Sequence, residues 1–174
     1  MTHTVAQANA ADAGADGTVI RPVVAEDLPR IIDLDRRNTG VTKPEYWRDL
    51  YDRYANAARS RFFLVADISG ALAGFVIGEV RAWEFGSEPC GWVFAIQVKP
   101  EVRLHRVGTA LLDAIGERFR RIGVAKIRTM LRRNDHVIMS FFRSQGMMAG
   151  PFIQLEKDLD EPAPPREPQG TGRR

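Results

Sequence analysis

One stretch restricts the fold of this chain more than any other: residues 98–112, VKPEVRLHRVGTALL, join an apolar run to a helical repeat. The residues just before it, GWVFAIQV at 91–98, are apolar at nearly every position, which is typical of a central strand covered on both faces. After Gly108, apolar residues recur at helical spacing as far as Gly123, a residue type that commonly ends helices. The sequence therefore predicts a strand that leads directly into a helix.

The turn between this strand and this helix predicts an anion-binding site. The first backbone N–H groups of a helix have no partner within the helix, and the helix dipole places positive charge at the same end. Gly108 and Thr109 carry little bulk, so an anion can come close to the backbone. Arg103, His105 and Arg106 add positive charge around it. A solvated basic loop is the alternative, and the position of the turn directly after a central strand favours the anion site.

Charge is distributed unevenly along the chain. Residues 99–145 carry eleven Lys and Arg against four acids, a net charge of +7, whereas the whole chain carries only +3. One half of the fold is therefore expected to meet an anion. We expect no nucleic-acid partner, because binding a phosphate backbone needs an extended basic face and these charges cluster at one turn and one helix edge.

The other elements follow from composition and periodicity. TVIRPVV at 18–24 has strand composition, and the next residues, AEDLPRIIDLDRR, place their apolar side chains on one helical face. A second helix begins at a capping box, Thr42 to Glu45, and is expected to end near Arg59. FFLVADISGALAGFVIGEV predicts an antiparallel hairpin. The remaining predicted elements are a strand (AKIRTMLRR), a short helix (HVIMSFFRSQ) and a last strand (PFIQLEKDL, 151–159).

The predicted fold class is thus α/β (α+β), a mixed central sheet with flanking helices in the order β-α-α-β-β-β-α-β-α-β. One domain, residues 18–160, carries these elements. Residues 1–17 and 161–174 are rich in Ala, Asp, Gly, Pro and Arg and bury too little apolar surface to offset chain entropy, so we expect disordered tails there.

Composition excludes several other classes of protein. No apolar stretch approaches the roughly 18 residues of a membrane span, and the N-terminus lacks the basic and apolar regions of a secretion signal. The single Cys90 permits no internal disulfide, and three histidines with one cysteine offer no metal-ligand spacing. We therefore expect a cytoplasmic protein with no metal and no membrane partner.

Two motifs resemble those of the GCN5-related N-acetyltransferase (GNAT) superfamily. That family has a central strand, V-x-P, and then Q/R-x-x-G-x-G/A at the start of a helix; this chain has Val98-Lys99-Pro100 and then Arg103-Leu104-His105-Arg106-Val107-Gly108. The family also has a short helix with an Asn near its start and a Gly-Phe pair at its end, matched by Asn134-Asp135 and Gly146-Met147. The resemblance runs from about residue 18 to residue 159.

This resemblance implies transfer of an acetyl group from acetyl-CoA to a primary amine of a small molecule or protein. The pyrophosphate would be held at the turn by Arg103, His105, Arg106, Val107, Gly108 and Thr109, with Asn134 also assigned to the cofactor site. The backbone of Ile96 and Val98 would pair with pantetheine. Dimers are common in such proteins, so a homodimer is compatible with the resemblance. The alternative is a catalytically weakened acyl-CoA-binding sensor or interaction module of the same fold.

Two positions depart from the family pattern. Arg106 stands where the signature has its first glycine. A left-handed backbone there would cost about 1–2 kcal/mol, which one charge-assisted phosphate bond of about 1.5–3 kcal/mol would offset; a loop with altered dihedrals is the equal alternative. Phe142 stands where many members have a tyrosine that protonates the leaving thiolate, and phenylalanine has no proton to donate. The departures keep the sensor alternative open.

Glu79 is the candidate catalytic base. It follows the apolar run FVIG on the strand next to the central one, and an apolar setting would raise its pKa toward the range that a base needs. A solvated or salt-bridged glutamate is the alternative. Glu84 and Glu88 are weaker candidates.

Aromatic residues offer a second set of candidates for the acceptor site. Tyr46, Tyr51 and Tyr54 lie on the second predicted helix, which usually borders the acceptor pocket in this family, although helix packing is the favoured interpretation. Trp83, Phe85 and Trp92 flank a Gly-Ser-Glu-Pro loop and could line the pocket, a subunit interface or the core.

Overall fold

The computed structural model describes residues 12–13, 17–55 and 59–159 of the chain. Its contacts divide the chain into two compact units, Met1–Asp135 and His136–Arg174. The strands are β1 (Asp12–Ala13), β2 (Thr18–Pro22), β3 (Arg61–Ile68), β4 (Ala71–Arg81), β5 (Cys90–Val98) and β6 (Ile127–Arg128). The helices are α1 (Leu28–Thr39), α2 (Pro44–Tyr54), α3 (Val107–Arg121) and α4 (His136–Ser144), with 3-10 turns at Ala25–Asp27, Glu84–Gly86 and Pro100–His105.

The strands of the described residues form a six-stranded sheet in the order β1-β2-β3-β4-β5-β6. The first five strands pair antiparallel, whereas β6 pairs parallel with β5. A parallel neighbour requires a crossover connection, and α3 supplies it. This mixed sheet with flanking helices confirms the predicted fold class.

The main core lies between the sheet and the helices α1 and α2. Trp47 of α2 is its largest member; its ring lies 5.1 Å from the ring of Phe75 and 6.4 Å from that of Phe63. Burial of such large rings is the chief stabilising contribution of this layer. Buried members of this core are Val23, Ile31, Leu34, Trp47, Leu50, Tyr54, Phe63, Val65, Leu72, Phe75 and Ile77.

Helix α3 packs on the strands through Phe119, and two glycines make room for that ring. A Cβ atom on Gly91 would lie 2.3 Å from Phe119 Cδ2, and one on Gly78 would lie 3.1 Å from Phe119 Cζ. The absence of side chains at these two strand positions therefore allows the close approach of α3. The helix ends at Arg121, and Gly123, two residues later, has φ +83°, as its position after the apolar repeat predicts.

A buried ion network fixes the start of α1 to the sheet. Asp27 is fully buried; Arg21 Nη1 donates to its Oδ2 at 2.6 Å and Arg30 Nη2 to its Oδ1 at 2.7 Å. Arg21 also donates through Nε to Asp67 Oδ2 at 2.7 Å. Burial alone would raise the pKa of Asp27, but these cations and the N–H of Val24 hold it below its usual value.

Several predicted boundaries need correction. The last predicted strand, 151–159, is irregular and exposed, and Leu155 is 84 % exposed, because alternation alone forms no strand without a partner edge. The strand predicted in AKIRTMLRR is only Ile127–Arg128, and α2 ends at Tyr54. Asp12–Ala13 pairs with β2 inside the predicted N-terminal tail. Residues 1–11 and 14–16 of the predicted N-terminal tail and the whole predicted C-terminal tail, 161–174, lie outside the described residues, so the predicted disorder and domain limits stay predictions.

Candidate functional site

Strand β5 loses its neighbour on one side part-way along its length. β6 pairs with β5 only opposite Gly91 and Trp92, and the hydroxyl of Thr129 then donates to the carbonyl of Val93 at 2.7 Å. On the other side, β4 stays paired with β5 as far as Val98. Within the described residues, the outer edge of β5 therefore has no strand partner beyond Val93.

A bulge at Phe94 decides which peptide groups of β5 face that free edge. Gly78 of β4 lies opposite Val93, but its neighbour Ile77 lies opposite Ala95, so Phe94 is an extra residue in β5. Peptide groups point alternately to the two sides of an extended strand, and the extra residue reverses that alternation. The residues of β5 before the bulge are mostly buried, whereas those from the bulge onward are half-buried. This difference corrects the prediction that the strand is covered on both faces along its whole length.

Beyond the bulge, the backbone groups of Ile96 and Val98 point to the free edge. The N–H of Gly91 bonds to the carbonyl of Lys126 at 2.8 Å, so residues of odd number face β6 before the bulge. After the bulge, the N–H of Lys99 bonds to β4 at 2.9 Å, so residues of even number face away from β4. The geometry is compatible with the role predicted for Ile96 and Val98, and their pairing with pantetheine stays a prediction.

The start of helix α3 leaves backbone donors without helical partners. The first helical hydrogen bond joins the N–H of Ala110 to the carbonyl of Arg106 at 3.0 Å. The N–H groups of residues 107–109 precede that bond and have no acceptor within the helix. Among the side chains that the structure describes, none caps this end of α3. The junction therefore offers three amides and the positive end of a helix dipole to an anion.

Arg106 has the left-handed backbone that a glycine in the family signature would adopt freely. Its φ is 56° and its ψ is 19°, and its side chain is exposed. An L-residue in this conformation costs about 1–2 kcal/mol. The chain thus accepts strain at the residue that directly precedes α3, and that residue carries an exposed, positively charged side chain.

The predicted cofactor residues are brought together only in part. Arg103, His105 and residues 106–109 follow one another along the junction, with His105 exposed. Val107 is fully buried, so it can contribute only its backbone. Asn134 lies exposed in the turn before α4, and no described contact joins it to the junction.

Glu79 lies in β4 on the sheet face covered by α1 and α2. Tyr54, at the end of α2, donates its hydroxyl to Glu79 Oε2 at 2.6 Å, and Arg81 Nε donates to Glu79 Oε1 at 3.1 Å. The Tyr54 ring packs edge-on against Phe94, with 5.4 Å between centroids. Glu79 is therefore linked through one tyrosine to the residue at which β5 becomes free.

The protonation of Glu79 differs from the sequence-based expectation. Burial pushes its pKa upward, but the hydrogen bonds from Tyr54 and Arg81 and the charges of Arg81 and Arg61 outweigh burial and leave the pKa below its usual value. The expected rise in pKa is therefore wrong. Burial, together with the hydrogen bond to Glu79 and its charge, raises the pKa of Tyr54 to about 12.

Sequence reasoning missed a second carboxylate, Asp35 of α1, which is 1 % exposed. It accepts hydrogen bonds from Trp47 Nε1 at 3.0 Å and Gln97 Nε2 at 2.9 Å, and Lys43 Nζ lies 3.0 Å from its Oδ2. Asp35 thus joins α1, α2 and the free part of β5. The available signal was an acidic residue four positions after Ile31, inside the apolar stripe of the helix.

The other candidate residues have simpler surroundings. Trp83 and Phe85 are 71 % and 103 % exposed on the β4–β5 connection, so neither belongs to the core. Trp92 is half-buried beneath the guanidinium of Arg81, 4.5 Å from its ring centre. Phe142 is buried within the second unit and has no hydroxyl to donate.

Neither a metal-ligand cluster nor a membrane-spanning helix occurs in the described part of the chain. No group of three or more His, Cys, Asp or Glu side chains is placed there to hold a metal ion. None of the described helices is long and apolar enough to cross a membrane.

Comparison with solved structures identifies the same architecture in several N-acetyltransferases. Aminoglycoside acetyltransferase AAC(6')-Iy, in complex with the bisubstrate analogue CoA-S-monomethyl-acetylneamine, has a TM-score of 0.71 at 15 % identity, covering 81 % of this chain and 97 % of that one. AAC(6')-Ih from Acinetobacter baumannii has a TM-score of 0.70 at 14 % identity, covering 82 % and 99 %. Glucosamine-6-phosphate N-acetyltransferase from Arabidopsis thaliana has a TM-score of 0.63 at 17 % identity, covering 82 % and 99 %. At these identities the similarity establishes the fold.

The family is established by sequence. Residues 28–147 match the model of the acetyltransferase (GNAT) family. That range contains α1, α2, the free edge of β5, the junction with α3 and the whole of α4. The chain belongs to the GNAT acetyltransferase family.

Proposed function

We propose that this chain transfers the acetyl group of acetyl-CoA to a primary amine of a small molecule or a protein. The observation that carries the proposal is the continuous junction formed by the free edge of β5, the strained turn at Arg106 and the uncapped start of α3. This junction provides backbone donors and acceptors followed by an anion site, in the order in which pantetheine and a diphosphate follow each other in coenzyme A.

Acetyl-CoA supplies an activated acetyl thioester. The chain's own contribution would be to hold it: the peptide groups of Ile96 and Val98 pair with pantetheine, and the amides of residues 107–109 receive the diphosphate. Arg103, His105 and Arg106 would add positive charge, and Asn134 would contribute a polar side chain from the turn before α4. Most of these roles belong to the main chain, so side-chain identity is loosely constrained.

Glu79 would receive the proton of the acceptor amine, directly or through a water molecule. Its lowered pKa keeps it ionised at neutral pH, so it can hold an ammonium group and accept a proton from it. The same low pKa makes it a weak base. We therefore expect Glu79 to pass the proton on to solvent rather than to retain it.

Phe142 leaves the protonation of the departing thiolate to another source. Water or the acceptor's own ammonium proton can serve, which lowers the rate without abolishing transfer. The same residue favours a second candidate function, an acyl-CoA sensor or interaction module that binds the cosubstrate but transfers the acetyl group slowly.

We propose the cytoplasm as the location of this protein, because a free, buried Cys90 stays reduced there. We also propose that the chain forms a homodimer.

Two measurements, made one after the other, test the proposal. Thermal unfolding with millimolar coenzyme A should show a higher Tm, because a ligand that binds only the folded state stabilises it. Release of free thiol from acetyl-CoA is then measured with lysine-containing peptides, polyamines and small amines. A Tm shift with thiol release on at least one amine supports the enzyme, whereas a shift without thiol release on any amine supports the sensor. No shift contradicts both.

A further inference from the structure

Glu79 lies within a row of mostly cationic side chains. The row crosses the sheet where β3 and β5 begin and β4 ends. Arg61 of β3 is opposite Glu79 of β4, Glu79 is opposite Trp92 of β5, and Trp92 is opposite Arg128 of β6. Residues that lie opposite each other share a face of the sheet, and Arg81 is on that face too because it follows Glu79 by two positions. The row therefore has three arginines and one glutamate.

Two of these arginines have unused hydrogen-bonding capacity. Arg61 is exposed and makes no ion pair within the described residues; its guanidinium lies 5.5 Å from the centre of the Tyr54 ring. Arg81 uses Nε to bind Glu79, and its guanidinium lies over the Trp92 ring, 4.5 Å from the ring centre. The terminal nitrogens of Arg81 have no partner in the described part of the chain. A guanidinium held in this way is suited to bidentate binding of a carboxylate or phosphate.

Acidic residues nearby do not cancel this charge. Glu79 is already shared between Tyr54 and Arg81. Glu84 and Glu88 are exposed on the β4–β5 connection and form no ion pair within the described residues. An acceptor with several ammonium groups would meet net positive charge here, whereas an acceptor with one amine and one acidic group would find a partner for each.

We propose that the acceptor is a small zwitterionic amine, whose acidic group is bound by Arg61 and Arg81 while its amine lies at Glu79. This inference rests on the proposed function and identifies the substrate class of the same site. Because side chains opposite each other in a sheet have Cβ atoms about 5 Å apart, the acidic group is expected a few bonds from the amine. Arg61 and Arg81 can bind either a carboxylate or a phosphate, and the experiment below distinguishes the two.

The test compares amines that differ only in the acidic group. Thiol release from acetyl-CoA is measured with lysine against cadaverine, phenylalanine against phenethylamine, and phosphoethanolamine against ethanolamine, with spermidine as the polycation. The acidic member of at least one pair is expected to have a kcat/KM about 10- to 100-fold higher than its partner. The first two pairs report a carboxylate preference and the third a phosphate preference. Equal rates within every pair, or the highest rate for spermidine, would overturn the proposal.

Variants distinguish a binding role from a structural one. Within each pair, the kcat/KM for the acidic amine is divided by the kcat/KM for its non-acidic partner. Arg61→Gln and Arg81→Lys should each reduce this ratio about tenfold. The control Arg120→Gln, an exposed substitution on α3, should leave the ratio unchanged. A ratio unaffected by Arg61→Gln and Arg81→Lys contradicts the assignment.

Calorimetry separates failure of this inference from failure of the proposed function. If no amine is acetylated, the proposed function fails, and binding of the same acidic amines to the CoA-saturated protein decides the inference. Binding that weakens in Arg61→Gln supports it, and absence of binding by all three acidic amines at millimolar concentration overturns it.

Discussion

At the scale of single residues, Arg106 combines a conformational cost with a proposed charge. Arg106→Gly removes the strain at φ 56°, so we expect the free energy of unfolding to rise by about 1 kcal/mol. The same change removes a cation beside the diphosphate site, so the Kd for coenzyme A should rise about tenfold. Urea unfolding and calorimetry measure the two effects.

Arg106→Ala is the matched control for that experiment. Alanine removes the charge but keeps a side chain in the left-handed region, so the affinity should fall without the gain in stability. If both variants bind coenzyme A as tightly as the original chain, Arg106 has no part in holding the diphosphate.

The low pKa of Glu79 gives a prediction about pH. If ionised Glu79 is required, kcat/KM should stay level through neutral pH and fall only below the usual glutamate value of 4.5. Tyr54→Phe removes a hydrogen bond that stabilises the carboxylate, so the fall should move to higher pH. Glu79→Gln should lower kcat/KM about 100-fold or more. An acid limb between about pH 6 and 8 that persists in Glu79→Gln would assign the base elsewhere.

Local sequence could identify Glu79 as a candidate, but it could not supply its pKa. The expected rise followed from the apolar residues before it, whereas the decisive partner, Tyr54, lies 25 positions away. Asp35 was missed for the same reason, because Gln97 lies 62 positions away and becomes a neighbour only when the sheet forms. At Arg106 the sequence left a left-handed backbone and a loop with altered dihedrals equally open, and the structure has the left-handed backbone.

At the scale of elements, the position of α3 depends on the space above two glycines. A Cβ on Gly91 would lie within 2.6 Å of three atoms of the Phe119 ring. Gly91→Ala should therefore displace α3 and destabilise the fold by about 3 kcal/mol, measured by urea unfolding. Gly150→Ala is the control, because a Cβ there meets no atom within 4 Å. Equal stability of the two variants would contradict this account of the packing.

Asp35 holds α1, α2 and β5 together. Asp35→Ala leaves the buried Trp47 N–H without its acceptor and removes the ion pair to Lys43, so the free energy of unfolding should fall by about 1–3 kcal/mol. Asp33→Ala, on the exposed side of the same helix, should change stability little. Denaturant unfolding of both variants measures the difference; a small loss for Asp35→Ala would show that these elements are held by apolar packing alone.

Elements with a strong local pattern could be predicted, and those that depend on a partner could not. The β3–β4 hairpin and α3 follow from their own periodicity. The bulge at Phe94 has no sequence signal, because it is a property of the pairing between β4 and β5. Residues 151–159 have the alternation of a strand, but they pair with no other described strand and remain irregular.

At the scale of the whole molecule, the two reactants are assigned to different parts of one sheet. We propose the free edge of β5 and the start of α3 as the coenzyme side, of which the start of α3 lies within residues 99–145, a segment of net charge +7. We propose the Glu79 row, on the face covered by α1 and α2, as the acceptor side. Phe94, at the bulge, contacts Tyr54 and lies where β5 becomes free, so it connects the two sides.

The most direct test of this account is an NMR titration of the 19.5 kDa chain with coenzyme A, following backbone amide resonances. The largest shifts are expected at the amides of residues 107–109, followed by those of Ile96 and Val98 on the free edge of β5. Saturating, millimolar coenzyme A that leaves these amides unshifted would contradict the claim that this junction holds the diphosphate.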